Sequence, residues 1–89
     1  MSVSIVANGD TCNLVEIDSG GRTANVFTLP LPRAEIVTLL RDLLADPEAR
    51  QIEAGILLVE RMRDGVRVHH SRANFTIPWG YLFPILAQE

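Results

Sequence analysis

The sequence contains no lysine, only one cysteine and no long apolar run. All eight basic residues are arginine, and they are scattered among eleven acidic residues, so the net charge is -3. The single thiol, Cys12, has no second cysteine to pair with, which excludes an intramolecular disulfide. No apolar stretch approaches the roughly eighteen residues that a membrane-spanning helix requires. We therefore expect neither a disulfide scaffold nor a membrane anchor.

The first ten residues also lack the features of a secretory signal peptide. They contain neither its basic segment nor its long apolar core. Because a lone cysteine gives no argument for an oxidising compartment, we expect the protein in the cytoplasm.

Length and composition predict one small globular domain. Hydrophobic residues make up 47% of the 89 residues and charged residues 21%, which is too apolar for a disordered chain. A chain of this length is expected to bury roughly 60 to 65% of its unfolded surface. Residues 1–89 are therefore predicted to form a single domain with one modest core.

Three segments in the first third alternate between apolar and polar residues, which is the pattern of a half-buried strand. They are separated by turn sequences containing Asn, Gly and Ser. The strands cover residues 2–7, 12–18 and 22–29, and the turns cover residues 8–10 and 19–21. The pattern predicts a three-stranded antiparallel meander.

A helix is predicted after the third strand. Pro30 and Pro32 end that strand, and Pro32 suits the first position of a helix. An apolar stripe at helical spacing follows, formed by Ile36, Leu39, Leu40, Leu43 and Leu44. Asp46, Pro47 and Glu48 resemble a second helix start, so we expect a short helical turn over Glu48 to Glu53.

Residues 55–63 are compatible with either a helix or a strand. A helix would include Gly55 at a cost of about 1 kcal/mol relative to alanine. We favour a hairpin that joins Ile56–Arg63 to Val66–Ile77 through Asp64 and Gly65, since Asp-Gly is a strong turn sequence. Residues 78–87 are expected to form an irregular or short helical tail.

These elements predict an α+β fold. Their order is three strands, one or two helices, two strands and the tail. The simplest architecture is a small antiparallel sheet of about five strands, covered on one face by the amphipathic helix. The other face or an edge strand would then be solvated or meet a partner.

No catalytic, metal or cofactor site is predicted. His69 and His70 are adjacent, and neighbouring residues on a strand point to opposite faces, so they are not expected to share a metal ion. The sequence contains neither an HEXXH nor a GXSXG motif. A hydrolase or metal enzyme would need a cleft that joins a histidine to Cys12 or to a carboxylate.

Charge is distributed unevenly along the chain. Residues 1–60 carry four arginines and nine acids, net -5, whereas residues 61–89 carry four arginines and two acids, net +2. The basic residues of the second part are Arg61, Arg63, Arg67 and Arg72. A basic two-stranded ribbon can bind nucleic acid, but the acidity of the whole chain argues against it.

The segment from Ile77 to Leu86 is uncharged and contains Trp79, Tyr81 and Phe83. Such a segment can close the core of a small domain. Aromatic side chains on a backbone stiffened by two prolines are also typical of binding hot spots. We favour the core interpretation, with part of the segment able to do both.

The combination favours a non-enzymatic protein-interaction module. Such a module would act on a larger protein as an inhibitor, immunity factor, accessory subunit or regulator, or would self-associate as a homodimer. A nucleic-acid-binding regulator is the less favoured alternative. The predicted partner-binding residues are Trp79, Tyr81, Phe83, Arg61, Arg63, Arg67 and Arg72.

Overall fold

The computed structural model describes residues 2–87, which form antiparallel strands and two helices. The predicted α+β class is confirmed. The elements are β1 (Ser2–Asn8), β2 (Thr11–Ile17), β3 (Thr23–Leu29), α1 (Arg33–Ala45), β4 (Gln51–Ala54), β5 (Leu57–Arg61), β6 (Gly65–His70), β7 (Ala73–Pro78) and α2 (Trp79–Ala87).

The first sheet is the predicted meander, with the strand order β1-β2-β3. Its first turn contains Gly9 at a φ of 64°, a conformation that glycine adopts without steric cost. In the second turn, the Asp18 carboxylate accepts hydrogen bonds from the backbone N–H groups of Gly20, at 2.9 Å, and Arg22, at 3.0 Å. Both turns are therefore determined by local sequence.

The second sheet has the order β4-β5-β6-β7, and its first strand differs from the prediction. The helical turn expected over Glu48 to Glu53 is wrong, because residues 51–54 form β4. Gly55, with a φ of 62°, and Ile56 make a two-residue turn between β4 and β5. Hairpin pairing places Ile52 opposite Val59, and this pairing outweighs the helix-start sequence before it.

The strand predicted over residues 66–77 is divided into β6 and β7. Ser71 has a φ of 59° and, with Arg72, forms a turn that places His70 opposite Ala73. This turn contains neither glycine nor proline, the strongest turn signals, and the prediction therefore continued one strand through it. The expected single sheet of about five strands is therefore two sheets of three and four strands.

Each helix packs against strands of both sheets instead of covering one face of a single sheet. α1 contacts β1, β4 and β5, whereas α2 contacts β1, β6, β7 and α1. Both helices keep an exposed side, and the two sheets also meet directly where Phe27 contacts His70 and Phe75. The buried apolar side chains of residues 2–87 form one cluster: Val3, Ile5, Cys12, Leu14, Leu29, Ile36, Val37, Leu40, Leu43, Leu57, Val59, Val66, Val68, Phe75, Ile77, Leu82 and Ile85.

α1 follows the predicted apolar stripe with small differences. Its first residue is Arg33, and the carbonyl of Pro32 accepts the first helical hydrogen bonds from Glu35 and Ile36. Leu39 and Leu44 are half-buried at the edge of the stripe. The predicted tail is the helix α2, which contains Pro84.

Gly65 allows a close approach between β6 and β7. It is buried, and a Cβ atom there would overlap the backbone carbonyl of Ile77. Its φ is not positive. The need for glycine therefore comes from packing and not from the turn that the Asp-Gly sequence suggested.

We expect Gly65→Ala to lower the free energy of unfolding by roughly 1 to 3 kcal/mol, because the added methyl group has no space and the backbone must shift. Gly80→Ala is the matched control. Apart from its chain neighbours and the backbone of its own helix, no atom of residues 2–87 lies within 4 Å of a Cβ built at Gly80, and alanine favours a helix by up to about 1 kcal/mol. Urea denaturation should therefore shift the two midpoints in opposite directions, and an unchanged midpoint for Gly65→Ala would contradict the close approach.

Candidate protein-interaction surfaces

α2 divides the uncharged C-terminal segment into a buried and an exposed side. Leu82 and Ile85 are fully buried, whereas Phe83 is 67% exposed. The exposed residues recur at intervals of three, one and three, so they share one face of the helix. We name this surface the Phe83 face, and it consists of Gly80, Phe83, Pro84 and Ala87.

The other two aromatic residues of the segment are half-buried against the core. Trp79 donates a hydrogen bond from Nε1 to the carbonyl of Arg63 at 2.9 Å, and its backbone N–H bonds to the Asp64 carbonyl at 3.3 Å. Tyr81 also packs against the buried cluster. Trp79 therefore attaches the beginning of α2 to the loop between β5 and β6, and Phe83 is the most exposed of the three rings.

Pro84 changes the hydrogen bonding of the Phe83 face. Proline has no N–H group, so it cannot donate the usual helical bond to the carbonyl of Gly80, four residues earlier. Gly80 is exposed, and its carbonyl lacks this i+4 donor. The face thus places a backbone acceptor close to an exposed aromatic ring.

A second apolar surface surrounds the β4–β5 turn. Ile56, at the tip of this turn, is 73% exposed. Beside it lies a shallow, mostly apolar depression between the turn and α1. Its walls are Leu31, Ala34, Glu35, Thr38, Leu39, Ala54 and Gly55.

The outer face of the first sheet is uncharged in its central rows. One row contains Ser4, Val15 and Val26, and the next contains Val6, Asn13 and Thr28. Val6 is 48% and Val26 is 50% exposed. This face is therefore weakly apolar and has no like charges that would repel a second acidic protein.

The four predicted arginines of the C-terminal part do not form one basic patch. Arg67 lies on the outer face of the second sheet, where its Nε donates to Thr76 Oγ1 at 3.3 Å. Arg63 lies in the β5–β6 loop and Arg72 in the β6–β7 turn, at opposite ends of β6. Only Arg63 is next to the aromatic segment, through the bond that its carbonyl accepts from Trp79.

Arg61 has a structural role that sequence analysis missed. Its Nη2 donates to the carbonyls of Leu43, at 2.6 Å, and Asp46, at 2.9 Å, and its Nε donates to the carbonyl of Ala49 at 3.1 Å. These carbonyls belong to the last turn of α1 and to the segment that follows it. The one available signal was that the last turn of α1 contains no basic residue of its own.

The two adjacent histidines lie on opposite faces of the second sheet, as predicted. His69 is on the outer face, with Nε2 at 3.1 Å from Glu60 Oε1. His70 points to the inner side, where its ring meets Phe27 edge-on at a centroid distance of 6.4 Å. Cys12 is fully buried in the first sheet, so the structure pairs a histidine with a carboxylate on an open sheet face and not with the thiol.

Neither a cluster of metal ligands in the described residues nor similarity to known proteins indicates a function for this chain. Within residues 2–87, no group of three or more His, Cys, Asp or Glu side chains is placed to hold a metal ion. Over the same residues, no helix has the length and hydropathy needed to cross a bilayer. Comparisons with protein families, curated proteins and solved structures find no match to this chain. The functional argument therefore depends on the surfaces described above.

We expect Arg61→Met to lower the free energy of unfolding by roughly 2 to 4 kcal/mol, because three carbonyls lose a charged donor while most of the apolar stem is kept. Arg63→Met is the matched control. The Arg63 side chain is exposed, so this change is expected to stay within about 0.5 kcal/mol. Equal effects of the two variants in thermal or urea unfolding would remove the structural role of Arg61.

Burial raises the pKa of the Cys12 thiol, and the guanidinium of Arg33 partly opposes this shift by attracting the thiolate. The unfolded chain loses the thiol proton at about pH 8.5, which is a lower pH than the folded chain requires. The free energy of unfolding should therefore be independent of this group below that pH and should fall as pH rises above it. The difference between wild type and Cys12→Ala, measured from neutral to alkaline pH, isolates the thiol. A constant difference would contradict the raised pKa.

Proposed function

We propose that this chain is a non-enzymatic protein-interaction module that binds a larger protein through the Phe83 face. It would act there as an inhibitor, immunity factor, accessory subunit or regulator. The observation that carries the proposal is Phe83, which is 67% exposed on a helix whose opposite side is fully buried. Large aromatic side chains in this position are typical anchors of protein interfaces.

The backbone that presents Phe83 is held at both ends. Trp79 bonds to the β5–β6 loop at the beginning of α2, and Arg41 Nη2 donates to the Leu86 carbonyl near its end, at 2.8 Å. Between these attachments, Leu82 and Ile85 are fully buried. Because little of the helix needs to become ordered on binding, most of the energy of burying the ring is available for affinity.

The Phe83 face also indicates the chemistry of its partner. An apolar pocket would accept the ring, and a nearby N–H or O–H donor would bond to the Gly80 carbonyl. Arg63 is exposed, and its backbone carbonyl accepts the Trp79 bond, so this basic residue lies beside the beginning of α2. An acidic rim on the partner would therefore increase the rate of association.

The nucleic-acid alternative receives less support. A basic ribbon needs several guanidinium groups that reach phosphates together. The donors of Arg61 are used by three carbonyls, and Arg63 and Arg72 lie at opposite ends of β6. The absence of enzymatic activity and the cytoplasmic location stay predictions.

Phe83→Asp is expected to reduce partner capture at least tenfold, because it removes the anchor and places a charge in an apolar interface. Ile56→Asp is the matched control, since Ile56 is equally apolar, is 73% exposed and lies on a different surface. The measurement is quantitative mass spectrometry of proteins retained from a lysate of the source organism, followed by titration of the purified candidate.

The proposal is supported by a protein that wild type and Ile56→Asp retain from the lysate and Phe83→Asp does not. Two outcomes contradict it: a partner that binds wild type and Phe83→Asp equally, or a partner lost only from Ile56→Asp. Circular dichroism of each variant ensures that lost binding does not reflect unfolding.

A further inference from the structure

β3 is an edge strand with a bulge at Ala24, where its register with β2 shifts, and with little other protection against pairing. It is hydrogen-bonded to β2 on one side only. Residues 23–26 and Thr28 are exposed, and the strand contains neither a charged residue nor a proline. Natural edge strands normally carry charges, prolines or a covering element because open backbone groups invite another strand.

The pairing pattern shows which backbone groups of β3 are open. Ile5 pairs with Leu14. The Ile5 carbonyl accepts a bond from Arg33 Nε at 3.3 Å, which indicates that this carbonyl points away from β2. Hydrogen-bonded and non-hydrogen-bonded pairs alternate along an antiparallel ladder, so Leu14 directs its backbone groups to Phe27 on β3. The two neighbours of Phe27 therefore turn their N–H and C=O groups outward.

The other sheet edges are protected or short. On β1, the Ile5 carbonyl accepts a hydrogen bond from Arg33, and both helices contact the strand. β4 has only four residues, and β7 ends in Pro78 and is contacted by α2. The long open edge of the described chain is therefore β3.

We propose that a second copy of this chain pairs with β3 in antiparallel orientation, about a twofold axis at Val26. The outward N–H and C=O groups of Val26 would bond to those of Val26 in the second copy. Ala24, which this register would bring opposite Thr28 of the second copy, lies at the bulge, so regular pairing is confined to the part of the strand around Val26. Since β3 has no charge, this contact brings no like charges into opposition, although each copy has a net charge of -3.

The geometry limits the assembly to two copies. Pairing through β3 joins two three-stranded sheets into one sheet of six strands, whose new edges are the two protected β1 strands. A twofold contact of this kind is closed and does not continue into a fibre. The uncharged outer row of Ser4, Val15 and Val26 also continues across the axis. The Val26 side chains of the two copies would therefore become less exposed to solvent.

The size of the contact predicts reversible association. Seven residues at about 3.3 Å each give a strand of roughly 23 Å, and one paired edge buries less than the ~1,200 Å² of a standard interface. The dimer should therefore form as concentration rises. It does not depend on the Phe83 face, because α2 contacts β1, the opposite edge of the first sheet.

The test is light scattering of the full chain from micromolar to millimolar concentration. Wild type should approach twice the 9.8 kDa of one chain. Val26→Lys should remain monomeric, because it places two like charges at the twofold axis. Val6→Lys is the matched control: Val6 is 48% and Val26 is 50% exposed on the same sheet face, but Val6 lies on β1, so this variant should dimerise like wild type.

Hydrogen exchange provides the second measurement. The amide of Val26 should gain protection as the wild-type concentration rises, whereas the amide of Phe27 should be protected throughout by its bond to β2. A wild-type monomer at every concentration would overturn the proposal. So would a dimer that Val6→Lys also abolishes, which indicates packing of the sheet faces, or a dimer in which the Val26 amide gains no protection.

The same experiments separate this inference from the proposed function. Phe83→Asp should dimerise normally, and Val26→Lys should retain the protein captured through the Phe83 face. A dimer that Phe83→Asp abolishes while Val26→Lys keeps it would assign self-association to α2 and overturn the β3 pairing.

Discussion

The guanidinium of Arg61 connects the elements on which the rest of the fold depends. It bonds to the carbonyls of Leu43, Asp46 and Ala49, and thereby joins β5 to the end of α1 and to the segment leading into β4. The last carbonyls of a helix have no intrahelical donor and lie at its negative end, so a cation there is doubly favourable. Because α1 contacts strands of both sheets, these bonds also hold the helix beside the second sheet.

A chain of 89 residues has too few elements to cover all of its apolar surface. The arrangement of the two helices closes the core by packing one side of each helix against strands of both sheets. It leaves the outer side of α2 and the open edge of β3 without a covering element. Phe83 and Val26 are exposed for this reason, and the two proposed interactions use these surfaces independently.

Much of the fold follows from local patterns, and each departure has a specific physical reason. The meander and the apolar stripe of α1 were predictable because alternation, turn residues and helical spacing are all present in the sequence. β4 was missed because the pairing of Ile52 with Val59 outweighs the helix-start sequence before it. The division between β6 and β7 was missed because Ser71 takes a left-handed conformation that glycine or asparagine usually adopts.

The sequence by itself determined the α+β class, the opposite orientation of His69 and His70, and the uncharged aromatic segment, because these depend on periodicity and composition within short stretches. Only the tertiary structure decided which ring of that segment faces outward and which arginine supports the core. Leu82 and Phe83 are adjacent and both apolar, yet one is fully buried and the other 67% exposed. The direction in which α2 packs against strands far away in the sequence makes this difference, and no local pattern contains that information.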